Sequence, residues 1–161
     1  MAKKADFDEQ SWRVLRETPQ IVGAAMMMAG ASGLGTVKES FAIGQGLLEG
    51  QSHSIPLLRE LNTRDEILAA QEAMKEWMKG GQGDPRERLR AEALEKSTLA
   101  MATLKARGSP EEVAAYRDWV YELAEKVAAA AREGGVLGFG GVRISPEEQA
   151  LLGELKTALN A

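Results

Sequence analysis

The chain has no cysteine. Disulfides, thiolate metal sites and cysteine nucleophiles are therefore excluded, and a reducing compartment such as the cytoplasm is the expected setting. There is one histidine, His53, whereas a zinc site normally takes two or more His or Cys ligands. No Glu-x-x-His pair is present, so ferritin-like di-iron chemistry has no basis. Aromatic residues make up only 5%, so the core has to be built from Leu, Ala, Val, Ile and Met. No stretch alternates with period two for long enough to make a strand. Neither half is basic: residues 1–80 carry 9 positive and 11 negative side chains, and residues 81–161 carry 11 and 13. Nucleic acid is thus not an expected partner. The start, Met1 to Asp6, is basic with no apolar run behind it, so no secretory leader is read there.

What is present is a set of helix signals. The 161 residues suit one domain, expected to be an all-α single compact bundle of five to seven helices spanning 1–161, with residues 1–10 a loosely ordered N-terminus. Asp84-Pro85 reads as an N-cap followed by proline at the first helical position, opening a helix to about Lys105 that stops at Gly108. Ser109-Pro110-Glu111-Glu112 and Ser145-Pro146-Glu147-Glu148 are both capping boxes. The first starts a helix to about Arg132, with Val113, Tyr116, Val120, Leu123 and Val127 on one seam. The second starts a final helix lined by Leu151, Leu152, Leu155 and Leu159. In the N-terminal half, a short helix is expected over Glu9 to Glu17. Thr18-Pro19 then reads as the start of another, central one running through Met26, Met27 and Met28. Further helices are expected from about Thr36 (bearing Val37, Phe41 and Leu48), from Pro56, and from Asn62 or Thr63 (bearing Ile67, Leu68, Met74, Trp77 and Met78). Glu92 and Lys96 form an i, i+4 surface pair.

Residues 18–37 carry no charge, but Pro19, Gln20, Ser32 and four glycines leave an apolar stretch too short for a membrane span. No membrane contact is expected. Gly30-Ala31-Ser32-Gly33-Leu34-Gly35-Thr36 has the glycine spacing of a phosphate loop but lacks both the lysine and the preceding strand. It reads as a turn between helices. Arg86, Arg88 and Arg90 read as a solvated helix face. Trp12, Trp77 and Trp119 fall in three different helices, as separate anchors. His53 reads as an exposed loop residue. No nucleophile, base and orienting group can be assembled, so no catalytic residue, metal ligand or cofactor is named and a non-enzymatic protein is expected.

From about Val127 onward the chain resembles the last helical hairpin of tellurite-resistance TerB-like proteins. The matching residues are Ala128 to Ala131, Gly141-Val142-Arg143-Ile144, the Ser145 capping box and Leu151-Leu152. Gly140 stands where that family has an aspartate, and its acidic metal-binding cluster has no counterpart here. The resemblance implies a helical bundle and a stress-response or metal-linked accessory role. The chain as a whole also resembles bacterial proteins.

Three functions remain open at this point. The first is protein–protein interaction, as a homodimer or with another protein partner, because Met- and Ala-rich helices pack closely and adaptably. Ile21 to Leu48 is the candidate region for it. The second is binding of a small ligand or anion by the glycine-rich loop 134–145, with Arg143 and Ser145 at a helix N-terminus as contacts. The third is the TerB-like accessory role.

Overall fold

The structure is a computed structural model, and it describes residues 1–30, 37–132 and 144–161. Seven α-helices occur among them, with no strand. They are α1 (Glu9–Ala29), α2 (Val37–Gln51), α3 (Pro56–Leu61), α4 (Arg64–Lys79), α5 (Pro85–Arg107), α6 (Pro110–Arg132) and α7 (Pro146–Asn160). The all-α bundle read from the sequence is the observed fold. No described helix is long and apolar enough to cross a membrane.

The caps sit where the residue types require them. The side chains of Asp8, Thr63, Asp84 and Ser145 each accept a backbone N–H from the first turn of α1, α4, α5 and α7. Ser109 does the same for α6, accepting from the Glu112 N–H at 3.2 Å. Pro56, Pro85 and Pro146 stand at helix starts, where no N–H is missed.

α1 is the axis of the bundle and touches α2, α4, α5, α6 and α7. Leu15, Val22 and Met26 on it are fully buried. They meet Leu89, Met101 and Leu104 of α5, Tyr116, Val120 and Leu123 of α6, and Leu151 and Leu155 of α7 in one apolar cluster.

α1 differs from the expected pair of helices, because it runs unbroken through Pro19. An internal proline has no N–H for the carbonyl four residues earlier, here that of Leu15. The Tyr116 hydroxyl of α6 donates to that carbonyl at 2.8 Å. The Thr18 hydroxyl donates to the Val14 carbonyl at 2.6 Å. The backbone group orphaned by proline is thus satisfied from another helix, which no local reading reveals. Burial pushes the Tyr116 hydroxyl well above its ordinary pKa, so it stays a donor.

The first residues pack onto the bundle. Ala2 is buried, and its N–H donates to Glu112 Oε1 at 2.8 Å. Lys4–Asp6 form a 3-10 turn, and Phe7 is buried against Trp12 with ring centroids 5.8 Å apart. Glu112 Oε2 meanwhile accepts from the Ser109 N–H at 2.8 Å. One buried carboxylate therefore closes a capping box and anchors the N-terminus.

Candidate functional site

Most of the residues named from the sequence have structural partners. Ser145 is a cap: its hydroxyl accepts from the Glu148 N–H at 3.1 Å, and its own N–H donates to the Glu148 carboxylate at 2.8 Å. Arg143 and residues 134–142 lie outside the described residues, as do residues 31–36 of the glycine-spaced segment. His53 is half-buried rather than exposed, and its Nδ1 accepts from the Ile55 N–H at 3.1 Å, which fixes a turn. Arg88 lies over the Trp77 ring, 4.5 Å from its centroid, and donates to the Trp77 carbonyl at 3.1 Å. Arg90 grips Glu154 of α7 through both carboxylate oxygens. Two of the three arginines thus clamp neighbouring elements instead of forming a free basic face. Trp12 packs on Phe7, Trp119 on Tyr116, and Trp77 under Arg88, so the three indoles share no pocket. Among the described residues, no group of three or more His, Asp or Glu is placed to hold a metal ion.

The candidate interaction region contains one unusual face. α2 packs Ala42, Gly46, Leu47 and Gly50 inward and leaves Phe41, Gly44 and Leu48 outward. A Cβ on Gly46 would lie 2.9 Å from Leu123 Cγ, and one on Gly50 would collide with Asn62. These glycines let α2 lie close against α6, and the Trp119 indole donates to the Gly46 carbonyl at 2.9 Å. On the opposite side Phe41 is 72% exposed and Leu48 58% exposed. Gly44 between them has open space around it. Residues 40–48 carry no charge. Met27, at the end of α1, is half-buried beside this face, and Ser40 Oγ lies 3.7 Å from its sulfur.

A second feature had no label in the sequence reading. Where α1, α4 and α5 meet, Glu17 is only 9% exposed. It accepts from Lys96 Nζ at 2.7 Å and Arg13 Nε at 3.3 Å, and Arg16 lies 3.9 Å away. Arg16 also reaches Glu66 of α4 at 3.0 Å, and Lys4 pairs with Glu66 too. Burial works against the charge of Glu66, but the hydrogen bonds from Lys4 and Arg16 more than offset it and hold the carboxyl below its usual pKa. Lys96, expected on the surface beside Glu92, is largely buried. Glu92 stands 3.7 Å from it, farther than Glu17. A signal for this cluster exists in the sequence. Glu17 sits at helical spacing between Val14 and Ile21, and Lys96 between Ala93 and Ala100, so each is a charge on an otherwise apolar stripe.

The chain matches no protein-family model, no curated protein and no solved structure in the comparisons made with each.

Proposed function

We propose that this protein is a non-enzymatic interaction protein of the bacterial cytoplasm, and that the outer face of α2 pairs with the same face of a second copy. The observation that carries this reading is the exposure of Phe41 and Leu48, two turns apart on one uncharged helix face. Burying two such side chains is worth about 1.5–3 kcal/mol each. The face is self-complementary. A two-fold axis between Gly44 and Gln45 sets Phe41 of one copy opposite Leu48 of the other, and Gly44 allows close approach at the crossing. Stable interfaces cover roughly 800 Å² per partner. Two side chains and a rim of Met27 and Ser40 fall short of that, so the pairing is weak and concentration-dependent.

Sedimentation equilibrium over a wide concentration range tests this. The wild type associates as concentration rises. Phe41→Glu stays monomeric, with unchanged circular dichroism and thermal unfolding, because Phe41 makes little core contact. Phe41 is a cleaner probe than Met27, whose half-buried side chain also serves the core. A wild type that is monomeric throughout, or a Phe41→Glu variant that associates equally well, overturns the proposal.

A further inference from the structure

The Glu17–Lys96 pair lies at the meeting of two cavities. One is an open groove of about 510 Å³ between α1 and α5, lined by Glu9, Gln10, Arg13, Val14, Glu17 and Lys96. The other is a narrow apolar slot of about 20 Å³, lined by Ile21, Ala70, Ala73, Met74 and Trp77 besides the same two charged residues. The ion pair forms the sill between them.

Each oxygen of the Glu17 carboxylate accepts a hydrogen bond, one from Lys96 and one from Arg13. Arg13 uses only its Nε, and among the described residues no acceptor sits on its two terminal amino groups. Lys96 faces two carboxylates with three protons. The terminal amino groups of Arg13 thus offer a fork of donors in a geometry suited to a carboxylate. Glu9 and Glu17 balance the two cations, so the lining is neutral overall and disfavours multiply charged anions. Beyond the sill, the slot of about 20 Å³ has room for roughly one methyl group, and the flexible Met74 lets it widen.

We propose that this groove binds a small organic monoanion, a carboxylate with a short apolar tail. The carboxylate sits on Arg13 and Lys96, and the tail passes the sill toward Met74 and Trp77. The site is independent of α2 pairing. It belongs to the N-terminal half of α1, whereas α2 meets α1 near Gly23, where Ile43 packs.

The test is an amide NMR titration of the full chain with acetate, propionate, butyrate, n-butylamine and inorganic phosphate. The expected result is binding on the order of millimolar for butyrate, tightening about fourfold per methylene from acetate, with shifts centred on α1 and α5. Arg13→Met, at a half-exposed position, weakens butyrate about tenfold without changing thermal unfolding. Ala73→Leu, which fills the slot, removes the dependence on tail length and leaves acetate binding intact. Absence of any shift at the groove overturns the proposal. So does equal or tighter binding of butylamine or phosphate, or a butyrate affinity that Arg13→Met leaves unchanged.

Discussion

α1 and α2 are neighbours in sequence and in space, yet they invert each other's chemistry. α1 buries polar groups: Glu17, Thr18 and Gln20 are all in the interior. α2 exposes two large apolar side chains, Phe41 and Leu48, while Gly46 and Gly50 face the core. The difference comes from position. α1 is surrounded, so polar side chains are enclosed too, and these three have partners: Lys96 for Glu17, the Val14 carbonyl for Thr18 and the Ile67 carbonyl for Gln20. α2 lies on the outside with one face packed. There, Gly46 and Gly50 serve close approach, and Phe41 and Leu48 stay exposed.

Several substitutions would break or sharpen this contrast. The largest effect is expected in α1. Lys96→Met leaves the Glu17 carboxylate enclosed with only its arginines and should cost about 3 kcal/mol in urea unfolding. Adding Glu17→Met removes the uncompensated charge and should restore most of that loss. On the packed side of α2, Gly46→Ala forces Leu123 to move and should cost about 1–3 kcal/mol. Tyr116→Phe orphans the Leu15 carbonyl and should cost about 1–2 kcal/mol. Pro19→Ala in that background returns an N–H to the same carbonyl and should recover part of the loss, as a double-mutant cycle would show. Gly44→Ala, on the open side of α2, meets nothing and should stabilise the dilute monomer by about 0.5–1 kcal/mol. If Gly44→Ala and Gly46→Ala behave alike, the two faces of α2 are not distinct.

A pH titration addresses the charged cluster. The folded pKa of Glu66 lies below its ordinary value of 4.5. Its contribution to stability is therefore complete above that value and is lost as pH falls through the depressed folded pKa. Glu66→Gln should flatten this part of the acid limb in chemical unfolding measured between neutral and acid pH. An unchanged limb would mean that the pairing with Lys4 and Arg16 does not persist in solution.

Much of the fold was legible because it is written locally. Asp84, Ser109 and Ser145 announce helix starts through hydrogen bonds to an N–H two or three residues on, and the seam through Tyr116, Val120 and Leu123 follows from helical spacing alone. Two of the misread places share one cause, which is a partner distant in sequence. Pro19 looked like a helix start because its remedy, Tyr116, lies 101 residues from the Leu15 carbonyl it satisfies. Lys96 looked like a surface residue because its main partner, Glu17, is 79 residues away. The hydrogen bond from Ala2 to Glu112 likewise joins residues 110 apart. The proposed groove was invisible for the same reason, since Arg13 and Lys96 come from opposite halves of the chain.

By itself, then, the sequence determined the helices, their caps, the apolar character of the core and the absence of any thiol chemistry. These depend on residue type and short-range spacing. Only the tertiary structure decided which charges are buried, which carbonyl the tyrosine rescues, and which face of α2 is left uncovered. Those outcomes depend on how helices cross. Crossing is set by the packing of side chains from distant segments, where a glycine in one helix makes room for a leucine in another.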